Sequence, residues 1–139
     1  MGLPLEVATY LAGAGLGLQL GVSIFDVPFP EGAQDNAAYI ETYPGREGDR
    51  TFGGNLAAPL GDWTSFTVFV RDARENVAVA ETLAIAIHKK LRNIQGQTLS
   101  GVLYRDIRAT AGAPYFAGFD HSNNRPLYAC HYEADKNES

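Results

Sequence analysis

The spacing of apolar side chains changes along this chain, which predicts a mixture of helices and strands. The clearest signal is a series of three- and four-residue steps, which is typical of a helix with one buried face. The apolar stripe consists of Val77, Ala80, Ala84, Ile87, Leu91 and Ile94. Asp72 and Glu75 have the spacing of a capping pair, and Gly96 suits a helix end. We therefore predict a long helix over residues 73–94.

A shorter helix and several strands are predicted around it. Pro4 suits the first turn of a helix, and apolar residues follow at steps of three and four up to Ala14. Strands are predicted where apolar residues cluster or alternate with polar ones. The strand segments are 22–27, 37–42, 65–71, 103–111, 115–120 and 126–132. In the third of them, Phe66, Val68 and Val70 share the face that is expected to lie in the core.

These elements predict an α+β fold, in which two helices pack on one face of a mixed or antiparallel sheet of about four to five strands. The chain has 139 residues, which suits a single domain, and we assign residues 1–133 to it. Residues 134–139 are predicted to form a flexible C-terminal tail. The second face of the sheet would then have no helix packed on it. Oligomerisation is a natural way to bury that face.

Glycine and proline are frequent, with 15 and 7 residues, and they concentrate in segments 13–21, 28–32 and 44–61. Loops as long as residues 43–62 are uncommon inside compact domains unless they are functional or mobile. We expect this loop to be poorly ordered in a free subunit and to become ordered against a neighbouring subunit or partner. The long predicted helix contains neither glycine nor proline. The composition therefore indicates a rigid frame that carries mobile loops.

The charge balance narrows the classes of function. Lys and Arg number 11 against 16 Asp and Glu, so the formal net charge is −5. A protein that wraps duplex DNA needs a basic surface, because phosphate neutralisation supplies most of its affinity. That class is therefore disfavoured. The single cysteine, Cys130, excludes an internal disulfide.

Side chains capable of catalysis do not form a recognisable pattern. His88 lacks a His or Glu at the spacing of a helical zinc site, so we interpret it as an ordinary residue at the edge of the apolar stripe. Cys130 and His131 are adjacent on a predicted strand and point to opposite faces, so they cannot act as a pair. We predict no catalytic, cofactor-binding or metal-binding residues, no cofactor and no enzyme activity. A small ligand-binding α+β domain is the alternative from a different class.

The order of several short motifs resembles that of the bacteriophage tail terminator or minor capsid protein family. Residues 69–72 read Phe-Val-Arg-Asp and precede a helix rich in alanine. Members of the family have a strand that ends in Val-Arg, and later a Pro, a Gly-x-Asp and an Arg before the last strand. The matching later motifs here are Ala113-Pro114, Gly118-Phe119-Asp120 and Asn124-Arg125-Pro126-Leu127-Tyr128. The resemblance covers most of the chain, although the segment 43–62 cannot be matched residue by residue.

The resemblance implies a structural virion protein that assembles as a homo-hexameric ring. Such a ring caps the head-proximal end of the tail tube, stops its polymerisation and joins the tail to the head. The implied partners are the tail tube protein and a head-closure, stopper or connector protein, with DNA passing through the ring unbound and no membrane involved. The implied location is the neck of a tailed phage or a phage-like gene transfer particle, assembled in the host cytoplasm. A head-tail stopper or connector component is the alternative role.

A ring subunit must offer two different surfaces to its neighbours. We expect those surfaces to include the exposed side of the long helix, the two-faced strand 103–111 and the glycine-rich loop. The candidate interface residues are Ile85, Lys89, Arg92, Arg105, Arg108, Arg46 and Arg50.

Overall fold

The computed structural model describes residues 2–43, 63–120 and 124–137 of the chain. In chain order the elements are α1 (Leu3–Ala12), β1 (Ile24–Phe25), β2 (Ala37–Tyr43), β3 (Thr64–Arg71), α2 (Val77–Leu91), β4 (Gln95–Leu99), β5 (Val102–Ala109), β6 (Tyr115–Phe119) and β7 (Pro126–Lys136). The predicted α+β class is confirmed. The candidates Arg46 and Arg50, and the predicted loop from residue 44 to residue 62, lie outside the described residues.

Within the part of the chain that the structure describes, the sheet has seven strands, so the predicted number of four to five is wrong. The order is β1-β2-β3-β7-β5-β4, and β6 also pairs with β7. Only the short β1 runs parallel to its neighbour among the described strands, which makes the sheet mixed. The long β7 pairs along one edge with β3, and along the other edge first with β6 and then with β5. It is therefore the central strand of the fold.

The additional strand β4 begins directly after the segment predicted as the long helix, where no strand was predicted. α2 ends at Leu91, and β4 then forms a hairpin with β5 through Ser100 and Gly101. Both turn residues have positive φ angles, 49° and 83°, as a two-residue type I′ turn requires. Four of the five residues of β4 are exposed, so the strand has no apolar pattern that could reveal it. The Ser-Gly pair is the feature of the sequence from which the hairpin could have been predicted.

Both helices pack on one face of the sheet, as predicted, and share one core with it. Phe66, Val68 and Val70 are buried in that core, and Phe66 stacks on Tyr132 at 5.2 Å between ring centroids. The stripe of α2 is buried from Ala80 onward, whereas Val77 is exposed. Ile94 is buried too, although it lies beyond the helix.

The start of α2 differs from the predicted capping pair. The helix begins at Val77, and Asn76 occupies the N-cap position without a side-chain capping bond. Asp72 is used earlier: its Oδ1 accepts hydrogen bonds from the Ala73 amide at 2.6 Å and from the Asn76 side chain at 3.1 Å. Asp72 therefore stabilises a turn between β3 and α2, because its carboxylate is already engaged before the helix begins.

The predicted tail boundary is also corrected, since β7 continues to Lys136. Ala134 is fully buried, and the Lys136 ammonium lies 2.8 Å from Oε1 of the buried Glu6 on α1. The same Glu6 oxygen accepts a hydrogen bond from the Tyr104 hydroxyl at 2.6 Å. Residues 134–136 thus connect β7 to α1 and β5. The sequence did not predict this role, because the segment contains polar residues. Alternate residues of β7 face away from the core and can therefore be polar within a strand.

Candidate functional site

A cluster of two arginines and two aspartates lies at one end of the sheet. Arg71, the last residue of β3, is 3% exposed, and its Nη1 lies 3.4 Å from Oδ2 of Asp120. Arg125, just before β7, approaches the same Asp120 oxygen with Nη2 at 2.7 Å. Its Nη1 lies 3.1 Å from Oδ1 of Asp35. The cluster thus joins β3, the loop before β2 and the connection between β6 and β7.

Arg71 also holds the loop of residues 28–36 against the sheet. Its guanidinium donates hydrogen bonds to the carbonyl oxygens of Ala33, Gln34 and Asp35 at 3.2, 3.0 and 3.2 Å. It also lies 3.9 Å from the ring centroid of Phe29, which is a cation–π contact. All three guanidinium nitrogens therefore donate to groups of the protein itself.

The Arg71 cluster lines an open cleft of about 800 Å³, together with Phe29 and Tyr39. Burial and the neighbouring Arg125 lower the pKa of Arg71, while Asp120 and Asp35 act in the opposite direction. Because Arg71 is fully engaged with its own loop, its geometry is that of an anchor. The cleft therefore does not need a ligand to satisfy the buried arginine.

Sequence reasoning did not predict this cluster. Its partners are separated by 49 residues for Arg71 and Asp120, and by 90 residues for Arg125 and Asp35, so no local pattern joins them. The one available signal was an arginine at the end of an otherwise buried strand. A buried guanidinium needs compensating acceptors, which directs attention to aspartates elsewhere in the chain.

A second polar group is buried between α2 and β7. His88 is buried rather than at the boundary, and its Nδ1 lies 2.9 Å from the Tyr132 hydroxyl and 3.5 Å from the Cys130 sulfur. This geometry brings together a thiol and an imidazole, a pair that could not be predicted from the separation of their positions. Burial raises the pKa of Cys130 and lowers the pKa of His88. Both groups are thus held neutral, which is the opposite of what an activated thiolate requires.

Cys130 is expected to resist modification in the folded protein. Only the thiolate reacts with disulfide reagents such as DTNB, and burial both raises the pKa of this thiol and restricts access to it. At pH 8 we expect the native protein to release little thionitrobenzoate, and one equivalent per chain after unfolding in urea. Rapid stoichiometric reaction of the native protein would contradict this description.

Two exposed apolar surfaces lie near α2. One is a largely apolar groove of about 510 Å³ between segment 16–23, the polar residues Gln34 and Asn36, and one side of α2. Leu18, Val79 and Leu83 are among its lining residues. The other is the phenylalanine pair of β6, Phe116 and Phe119, which are 45% and 50% exposed. Contiguous apolar surface of this kind marks protein contacts more often than isolated exposed residues do.

The predicted interface residues fall on different faces of the molecule. Ile85, Lys89 and Arg92 are exposed on or just after α2. Arg108 follows the buried Ile107 on β5 and therefore points to the opposite sheet face, where its guanidinium lies 4.7 Å from the Trp63 ring centroid. The structure does not bring these residues together, and their part in an interface stays a prediction.

Arg105 is also a predicted interface residue on β5. Its side chain is 51% exposed and forms an ion pair with Asp135 at 3.1 Å. An exposed pair of this kind contributes little to stability. Arg105 is therefore accessible to a neighbouring molecule, although part of its charge is already compensated within the chain.

Within residues 2–43, 63–120 and 124–137, no group of three His, Cys, Asp or Glu side chains has the arrangement of a metal site. No helix in this part of the chain is long and apolar enough to cross a membrane. No family model, curated protein or solved structure matches the chain.

Proposed function

We propose that this chain is a structural tail terminator, the ring protein that caps the head-proximal end of a phage or phage-like tail tube and joins it to the head. The observation that carries the proposal is the position of the motifs on which the family resemblance depends. Arg71 closes the Val-Arg strand, Asp120 closes the Gly-x-Asp motif, and Arg125 precedes the last strand. These three residues meet in one ion-pair cluster. Motifs that are separate in sequence are thus parts of one structural feature.

In an assembling subunit, the ion-pair cluster would give these motifs a structural role. It fixes the loop of residues 28–36, the end of β3 and the connection between β6 and β7 relative to one another. A ring closes only if the two unlike contact surfaces of each subunit keep a constant relative angle. A buried, multiply bonded arginine at the junction of three segments favours that rigidity.

The charge and surface of the chain are compatible with this role. With a net charge of −5, the chain as a whole would repel DNA rather than bind it, which suits a ring through which DNA slides. The exposed phenylalanine pair and the apolar groove supply surfaces for contacts between proteins. The partners in this proposal are further copies of the chain, the tail tube protein and a head-closure or connector protein. The proposed role is non-enzymatic.

Deleting the gene in the phage or gene transfer particle that encodes this chain tests the proposed role. Loss of a terminator removes the stop on tube polymerisation, so we expect tails longer than normal that are not joined to heads. Electron microscopy of lysates provides the tail lengths, and a plasmid copy of the gene should restore normal tails. Tails of normal length beside filled heads that leak DNA would instead indicate a stopper or connector. Normal particles would contradict both roles.

A further inference from the structure

The apolar groove beside α2 is built on the core of the protein. Leu18 and Ser23, its most buried lining residues, are 7% and 5% exposed. Leu16 and Leu83 also line it, and both pack against the core. Val79 is 47% exposed and lies at the rim. Because close-packed core residues form its base, the groove exists before anything binds, as is usual for ligand pockets.

The size of the groove favours a small molecule as its occupant. Its volume of about 510 Å³ lies within the roughly 300–1,000 Å³ that is typical of pockets for small molecules. Eleven described residues line it, whereas one side of a stable protein interface contains about 20–30 residues. A protein partner on this side of α2 would therefore need contacts well beyond the groove.

The lining of the groove carries no formal charge within the described part of the chain. Its polar side chains are all neutral, and they belong to Ser23, Gln34, Asn36 and Thr82. The cleft beside Arg71 differs, because arginine, aspartate and glutamate side chains line it. A charged ligand in the groove would lose hydration without gaining an opposite charge. The lining therefore favours a neutral occupant.

Ser23 supplies an unused hydrogen-bond donor at the groove. Its Oγ accepts a hydrogen bond from the Gln19 amide at 2.8 Å. A hydroxyl group can also donate one hydrogen bond, and Ser23 donates none to the described part of the chain. A buried donor without an acceptor is costly. A ligand that carries an acceptor would therefore gain a hydrogen bond from Ser23.

We propose that the apolar groove binds a neutral small molecule with an apolar body and a carbonyl oxygen or a similar hydrogen-bond acceptor. The apolar body packs against Leu18, Val79 and Leu83, and the acceptor receives a hydrogen bond from the Ser23 hydroxyl. The site adds a ligand-binding function to the proposed structural role and does not depend on that role.

Prodan, a neutral naphthyl ketone whose emission shifts to the blue in apolar surroundings, tests the site in the purified full chain. We expect saturable binding of one prodan molecule per chain. Acetonaphthone, a neutral ketone of similar size, should displace it. Naphthalenesulfonate should need at least about a tenfold higher concentration, because its charge finds no partner in the groove. Equal displacement by the two competitors, or the lack of saturable binding, would overturn the proposal.

Substitutions on α2 locate the bound probe. Val79→Glu introduces a charge at the groove and should weaken prodan binding at least about tenfold. Ile85→Glu is the matched control, because Ile85 is 38% exposed on the same helix and does not line the groove. Its affinity for prodan should match that of the unsubstituted protein. Equal affinities of the Val79→Glu and Ile85→Glu proteins would place the probe elsewhere and overturn the proposal.

Ser23→Ala tests the hydrogen bond to the ligand. It should weaken prodan binding about two- to tenfold, which corresponds to one hydrogen bond. Circular dichroism checks that each variant is folded. Unaltered binding of prodan to Ser23→Ala would refute the role assigned to the hydroxyl. None of these outcomes bears on the capping of tail tubes, so a failure of this inference leaves the proposed function unaffected.

Discussion

Replacing Arg71 with alanine is expected to lower the free energy of unfolding by about 3–5 kcal/mol, the range for removing one partner from a buried charged network. Arg71 is 3% exposed and donates to three backbone carbonyl oxygens and to Asp120. Without the guanidinium, the three carbonyl oxygens of the loop and the Asp120 carboxylate lose this donor. The Phe29 ring also loses its cation–π contact. The loop of residues 28–36 should therefore detach from the sheet.

Urea unfolding followed by circular dichroism measures the effect. Arg74→Ala is the matched control, because Arg74 lies three residues further along the chain and is exposed. Its unfolding free energy should stay within about 0.5 kcal/mol of the unsubstituted protein, as is usual for exposed positions. Limited proteolysis should cut Arg71→Ala within residues 28–36 before other sites. Equal stability of the Arg71→Ala and Arg74→Ala proteins would contradict an anchoring role for Arg71.

Replacing Lys136 with methionine is expected to cost about 3 kcal/mol, because it leaves a buried carboxylate without its cation. Glu6 is fully buried, and its Oε1 is held by Lys136 and by the Tyr104 hydroxyl. Oε2 has no hydrogen-bond partner within the described part of the chain, so Glu6 depends strongly on those two groups. The substitution also tests whether residues 134–136 belong to the fold, since a frayed tail would tolerate it.

A second substitution separates charge from packing at this position. In Glu6→Gln combined with Lys136→Met, the uncompensated charge is gone, so most of the lost unfolding free energy should return. Lys89→Met is the control, because Lys89 is exposed on α2 and its substitution should have little effect. The three variants are compared by urea unfolding. A Lys136→Met protein as stable as the Lys89→Met protein would show that the contact with Glu6 contributes nothing.

The parts of the fold that were predictable are those in which burial repeats with the period of the backbone. Phe66, Val68 and Val70 alternate on β3 and are all buried, and Ala80, Ala84 and Ile87 form the buried side of α2. The spacing of apolar residues depends on which face of an element is buried, and so it identified β3 and α2. The sequence of β4 has no such spacing, because β4 is an edge strand and most of its residues are exposed.

Long-range polar pairs account for most of the remaining differences. Lys136 was placed in a tail because its side chain is polar, yet its partner Glu6 is 130 residues away. A pairing of that kind is decided by the tertiary fold, which a local pattern does not contain. The difference at Asp72 is local instead: its spacing to Glu75 suits a capping pair, yet its carboxylate accepts a hydrogen bond from Asn76, four residues further along the chain.

The candidate site illustrates the same limit. The residues Arg71, Asp120 and Arg125 were visible as members of separate motifs, but nothing in the sequence indicated that they share one set of ion pairs. The apolar groove was equally hidden, because its lining residues come from segment 16–23, from Gln34 and Asn36, and from α2. The motifs could be located in the sequence, whereas the contact between them could be seen only in the folded structure.

Counting copies of the chain on tail tubes tests the central claim most directly. Tubes polymerised from the tail tube protein of the same particle are incubated with the chain carrying one fluorophore, and the copies are counted by stepwise photobleaching. A terminator ring predicts six copies at one end of each tube, none along its length, and no further growth from the labelled end. Labels spread along the tubes, or tubes that stay unlabelled and keep growing, would contradict the proposed function.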